Sequence, residues 1–185
     1  MESFPVLHTE RLILNRPTYE DRDDFVLQIN STEDFSKNLF NITYPYSKEN
    51  YEQWLPICDE GIEKGTSYRF AIRENEIGKL IGLIGLHIDK THQKAELGYW
   101  LGKDFWGNGY LTETVNAVLK FGFEELSLNK IYATHFLYNP ASEKVMQKSG
   151  MRLEGLLRKE YFHHGEFLDV NRYSILKEDF QNFQQ

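Results

Sequence analysis

Two adjacent stretches of this chain follow different hydrophobic periods, and the junction between them limits the possible folds more than any other feature. Residues 95–101 read as a strand. After Gly107-Asn108-Gly109 the apolar residues fall at Leu111, Val115, Val118, Leu119 and Phe123, the stripe of an amphipathic helix. Just upstream, residues 80–88 are apolar on both faces, which predicts a central strand of a sheet. A buried strand feeding a one-sided helix implies a layered α/β domain.

The remaining segments extend this pattern. Residues 11–17 predict a first strand stopped by Pro17. Thr18, with Asp21 three residues on, caps a short helix through Phe25, Val26 and Ile29. Ser47 opens a second helix that runs through Trp54, Leu55, Cys58 and Ile62 despite Pro56, and Gly65 ends it. Residues 68–73 form a strand beside 80–88, and residues 131–137 form another. Residues 141–149 make a short helix closed by Gly150, and strands 152–162 and 167–175 flank His163-His164-Gly165-Glu166 as a hairpin. The sheet is expected to be mixed. No repeat or linker divides the 185 residues, so one domain over 1–185 is expected, long enough to bury a core without staples.

Charge and cysteine usage exclude several classes. Lys plus Arg is 21 against 28 Asp plus Glu, a formal charge of −7. That sign repels phosphate backbones unless a basic patch exists, and the densest cluster, Arg152, Arg158 and Lys159, is interleaved with Glu154 and Glu160. No nucleic-acid partner is expected, and an acidic surface mildly favours cations such as amines. The one cysteine, Cys58, cannot form an internal disulfide or a multi-cysteine zinc site and is expected in the core. His8, His92 and His135 show no ligand spacing, and His163 and His164, adjacent on a strand, are expected to point to opposite faces at a hairpin tip. No metal is expected. Met1 to Pro5 lack a basic start, and residues 80–86 are too short to span a bilayer, so a cytoplasmic protein without a membrane partner is expected.

The stretch from Leu101 to Glu113 carries the chemistry. It sets a Gly-x-Gly turn between a strand and the first turn of a helix. Glycines let successive amides point into one concavity, and the helix N-terminus adds partial positive charge, so the turn suits a pyrophosphate without lysines. The plainer reading is a tight turn that needs glycine for positive φ. A P-loop would need Gly-Lys-Ser/Thr, and a dinucleotide fingerprint would need glycine where Thr112 stands; neither is present.

Trp106-Gly107-Asn108-Gly109-Tyr110-Leu111-Thr112-Glu113, preceded by Ala95-Glu96-Leu97-Gly98-Tyr99-Trp100-Leu101, resembles the GCN5-related N-acetyltransferases (GNAT). Within them it resembles the branch of ribosomal-protein N-terminal acetyltransferases. Asn139 to Met151 is similar to the family's next motif, and the opening His8-Thr9-Glu10-Arg11-Leu12-Ile13-Leu14 and the closing Gly165, Asp169 and Tyr173 extend the match. The resemblance implies a three-layer α/β/α fold with a mixed, mostly antiparallel sheet splayed between strands four and five, and acetyl-CoA as donor. It implies that the pantetheine arm lies against Tyr99, Trp100 and Leu101. The diphosphate would sit on the turn from Trp106 through Gly107, Asn108, Gly109, Tyr110 and Leu111 to Thr112. Asn139 would hydrogen-bond the arm and Ser142 would reach the sulfur. The broad family prefers Gln or Arg at Trp106 and a small residue at Leu111. The tyrosine many members use as general acid corresponds to Met146, which leaves Ser142 to act as acid or to hydrogen-bond the thiolate.

Acetyl transfer from a thioester needs a neutral amine. Deprotonating a lysine at pH 7 costs about 4–5 kcal/mol, against about 1 kcal/mol for an α-amine. A peptide N-terminus is therefore the less demanding acceptor. Glu96 is the candidate base; a turn over 90–93 would set His87 opposite it, as catalytic partner or as a cross-strand hydrogen bond. An amide near Trp100 or Leu101 would polarise the carbonyl. Small amines (polyamines, aminoglycosides, amino acids) are the competing acceptors, and a silent acyl-CoA sensor is the competing class. The protein is expected to be a monomer or a homodimer.

Overall fold

The computed structural model describes residues 4–40 and 42–183. Residues 1–3, part of the segment on which the absence of a leader was read, lie outside them. In chain order the elements are β1 (Leu7–His8), β2 (Leu12–Asn15), α1 (Arg22–Ile29), α2 (Asp34–Asn38), α3 (Lys48–Glu63), β3 (Ser67–Glu74), β4 (Leu80–Asp89) and β5 (Lys94–Leu101). Then follow α4 (Tyr110–Glu124), β6 (Lys130–Phe136), α5 (Pro140–Lys148), β7 (Arg152–His163), β8 (Glu166–Leu176) and α6 (Lys177–Phe183).

Among the described residues, eight strands make one sheet in the order β1-β2-β3-β4-β5-β6-β8-β7. Every neighbouring pair is antiparallel except β5 and β6. Each face carries its own core. On one side Trp100, Ala71 and Leu80 pack with Phe25, Ile29, Tyr51 and Leu55 of α1 and α3. On the other, Ile84, Leu86, Leu97 and Leu101 pack with Val115, Val118, Leu119 and Phe123 of α4. β4 feeds both cores, as its two-faced sequence requires.

The local signals act as read. Thr18 N–H donates to the Asp21 carboxylate (2.7 Å) and closes the cap before α1. Asp21, 4% exposed, also takes two hydrogen bonds from Arg73 (2.6 and 2.8 Å), tying the cap to β3. Ser47 caps α3 through a reciprocal exchange with Asn50, and Gly65 turns the chain at φ +60°. Three elements exceed the sequence reading: the two-residue β1, the five-residue α2 and the C-terminal α6. No helix among the described residues is long and apolar enough to cross a membrane.

Candidate active site

The parallel pairing of β5 with β6 covers only Lys94–Lys130, Ala95–Ile131 and Glu96–Tyr132, after which no further pairs form. β5 runs on to Leu101 and β6 to Phe136, so the sheet opens as a V whose apex is at Glu96. Beyond that apex the main chain of Gly98 to Leu101 has a strand partner in β4 but none in β6. The splay lies between the strands that the sequence reading counted fourth and fifth.

Alternation divides what reaches the V. The Trp100 side chain is 7% exposed, against Phe25 and Phe35, and Leu101 is 2% exposed in the opposite core. Both can therefore meet a ligand only through their main chain. Tyr99 reaches from the α4 face to Ser142 on α5: the two hydroxyls are 2.9 Å apart, and the phenol also approaches Ser142 O (3.2 Å). Burial pushes the Tyr99 phenol above its ordinary pKa, with the Ser142 hydrogen bond pulling the other way. Asn139 caps α5 by accepting from Ser142 N–H (3.3 Å), so its carboxamide oxygen is engaged and its amide NH2 is the group left for a ligand. Met146, 1% exposed, lies in the α4-side core and does not face the V.

On the other face Glu96 shares its side of β5 with Gly98 and Trp100. Burial raises its pKa, Arg172 and the Tyr161 hydroxyl lower it, and Glu160 adds to the rise. His87 does pair with Glu96 in the β4–β5 register. Its ring Nε2, however, lies 2.9 Å from the Arg69 guanidinium, and that contact satisfies it. The second expected role of His87, a hydrogen bond to Glu96, is thus replaced by Arg69.

The Gly-x-Gly turn has the geometry its residues suggest. Gly107 and Gly109 have φ +79° and +80°, where a Cβ would be strained. A Cβ at Gly107 would meet no atom within 4 Å, so backbone angle rather than crowding demands glycine there. Glu113 N–H bonds to Gly109 O (3.1 Å), so the amides of Tyr110, Leu111 and Thr112 are the free donors of the first turn of α4. The Trp106 indole donates to Leu101 O (2.6 Å), fastening the turn to the end of β5.

The family resemblance puts the acceptor cleft among the aromatic residues around α3, Phe40, Tyr44, Tyr46 and Trp54, and one wall is built on Phe40 with partners from other segments. Phe40, from the loop after α2, packs on Tyr161 (ring centroids 4.5 Å), Phe136 (5.6 Å) and His163 (5.4 Å). These rings lead from the neighbourhood of Glu96 to a cavity of about 440 Å³ lined by Ser36, Lys37, Tyr138, His163, His164 and Glu166, among others. Here the histidine pair sits at the hairpin tip as expected, but its rings do not part to opposite faces. His164 has φ +49°, which breaks strand alternation, and both rings lie within hydrogen-bond distance of Ser36 O (3.0 and 2.8 Å). They fasten the hairpin to α2, and Tyr138, which donates to Lys37 O (2.7 Å), ties the β6–α5 connection to the same helix. Of the aromatic residues near α3, Tyr46 is buried, whereas Phe40 and Tyr44 are exposed. Cys58 is a core thiol that burial pushes up to about 12.

A family model described as an acetyltransferase (GNAT) domain matches residues 11–152. The chain belongs to the GNAT family. The acetyltransferase is 32% identical over 181 residues to the uncharacterized N-acetyltransferase YoaA of Bacillus subtilis (strain 168), covering 94% of this chain and 98% of the relative. It is 32% identical to YdaF of the same organism, provisionally named a ribosomal N-acetyltransferase, over 84% of this chain and 85% of that one. It is 26% identical to the spermidine N(1)-acetyltransferase of Vibrio cholerae serotype O1, over 80% and 85%. Among solved structures, RimL, a ribosomal L7/L12 α-N-protein acetyltransferase in complex with coenzyme A, superposes with a TM-score of 0.84 at 19% identity. That superposition covers 93% of this chain and 98% of RimL.

Proposed function

We propose that this enzyme transfers the acetyl group of acetyl-CoA directly to the α-amine of a peptide N-terminus. The donor reading draws on the family and on the coenzyme A held by RimL, a protein of the same fold. The residues here fit that donor: a cradle of free amides behind Trp106 for the diphosphate and an unpaired strand edge from Gly98 to Leu101 for the amide-rich arm. The acceptor nitrogen attacks the thioester carbon while Glu96 takes its proton. The carbonyl oxygen is held by a main-chain N–H at Trp100 or Leu101, and the C–S bond then breaks. The Ser142 hydroxyl, backed by Tyr99, hydrogen-bonds the departing sulfur. Removing that hydroxyl takes away one hydrogen bond, so Ser142→Ala should lower kcat about tenfold while leaving the Kd for coenzyme A within about twofold. Equal loss in both would make Ser142 a cofactor contact alone.

The observation that carries the acceptor class is Glu96 at the apex of the V. A single half-buried carboxylate is a base of modest strength, adequate for an α-amine near pKa 8 and poorly matched to a lysine or polyamine amine near 10. The acceptor wall fits the same class. It is built of aromatic rings and histidines with one cation, Lys37, and one carboxylate, Glu166, at its edge, whereas a polyamine with several charges calls for a row of carboxylates. The relationship to YdaF favours this reading, and the relationship to the spermidine enzyme names its competitor.

Thiol release at pH 7 with three acceptors tests it: a short peptide with a free N-terminus, the same peptide N-blocked but carrying a lysine, and spermidine. The free α-amine should lead by at least about tenfold in kcat/KM. Faster turnover of spermidine would overturn the peptide assignment, and donor binding with no turnover of any amine would leave a sensor.

A further inference from the structure

Arg11, at the turn from β1 into β2, lies against the back of the Gly-x-Gly turn although 97 residues separate it from Asn108. Its Nη1 donates to Asn108 O (3.0 Å), and its guanidinium stands over the Tyr110 ring, 4.5 Å from the centroid. Its Nε and Nη2 grip one oxygen of Glu113 (2.8 and 2.6 Å), and its own backbone N–H bonds the other oxygen (2.9 Å). Thr9 Oγ1 donates to that second oxygen as well (2.5 Å).

The arrangement matters because of where Glu113 sits. It lies in the first turn of α4, at the positive pole of the helix, the same pole whose free amides face the diphosphate. An unneutralised carboxylate there would satisfy the pole itself and repel a bound anion. The Glu113 side chain is only 18% exposed, so solvent screens that charge poorly, whereas four donors from Thr9 and Arg11 hold it toward the β1–β2 turn. The bond to Asn108 O fixes one peptide of the turn with its carbonyl on the Arg11 side.

We propose that Arg11 is the positioning residue of the donor site. It neutralises Glu113 and pins the Asn108 carbonyl, so that the pole of α4 and the amides of the turn are left for the coenzyme A diphosphate. The inference rests on the diphosphate reading of the turn given above.

Calorimetry with coenzyme A and with pantetheine, which lacks the diphosphate, tests it in folded protein checked by circular dichroism. Arg11→Met should raise the Kd for coenzyme A about tenfold and leave that for pantetheine within about twofold, since one charge-assisted contact near the anion is lost. Adding Glu113→Gln to Arg11→Met should recover at least half of the loss, because the repelling charge is gone. Arg11→Lys, which keeps the charge without the two-pronged grip, should fall between wild type and Arg11→Met. Unchanged coenzyme A affinity in Arg11→Met, equal loss of both ligands, or no recovery in the double variant would each overturn the proposal. Gly107→Asp, whose Cβ would meet no atom within 4 Å and so stays clear of Arg11, separates the two levels. If it too binds coenzyme A like the wild type, the diphosphate reading itself fails; if it loses coenzyme A while Arg11→Met does not, only the role of Arg11 fails.

Discussion

Glu96→Gln should slow acetyl transfer by about a hundredfold or more at pH 7, the scale of losing a general base. The pH dependence distinguishes that loss from mere damage. Burial raises the pKa of Glu96 in the folded protein, so the carboxylate is available only above that raised value. An α-amine supplies its own free base above about pH 8. The ratio of wild-type to Glu96→Gln rates should therefore be largest between those two values, shrinking above as the amine deprotonates unaided and below as Glu96 itself takes a proton. A ratio flat across pH would remove Glu96 from the base role. Stability supplies the control. A carboxyl whose folded pKa is raised contributes stability below its unfolded pKa, and this is lost as pH rises through the folded value. At neutral pH the ionised Glu96 is thus a cost, and Glu96→Gln should melt no lower than the wild type.

Gly109→Asp should weaken acetyl-CoA binding by at least about a hundredfold, measured by calorimetry. Two effects add. Gly109 caps α4 at φ +80°, where any side chain costs about 1–2 kcal/mol, although aspartate tolerates that region better than most. The larger effect is electrostatic: a carboxylate placed on the free end of a helix competes for the amides that would hold the diphosphate. Pantetheine, which does not reach that end, should bind Gly109→Asp nearly as it binds the wild type. Undiminished coenzyme A binding would mean that the turn is only a turn.

Much of this arrangement is legible in residue order because it is local. The caps at Thr18 and Ser47, the central strand and the Gly-x-Gly turn are all signalled within a few residues. The register of His87 on Glu96 follows from the tight connection that sets Asp89 opposite Lys94, since pairing then proceeds two by two. What could not be read has no periodicity to read. α2 buries only Phe35, too little for a helical stripe. The wall formed by Phe40, Phe136 and Tyr161 gathers three distant segments, and the grip of Arg11 on Glu113 spans 102 residues. The histidine pair misled because the rule of opposite faces holds within a strand, and His164 lies one residue past the end of β7. Arg69 is the other lesson: pairing across a ladder names neighbours, and a longer side chain from the next strand took the hydrogen bond.

The parting of β5 from β6 has a kinetic consequence. Glu96 stands on the side of the sheet packed by α1 and α3, and Tyr99 with Ser142 on the side packed by α4. In the proposed reaction the incoming nitrogen and the outgoing sulfur thus occupy separate chambers joined by a slot. Neither substrate has to vacate for the other, the acyl group crosses without being parked on the protein, and double-reciprocal plots at several fixed donor levels should intersect instead of running parallel.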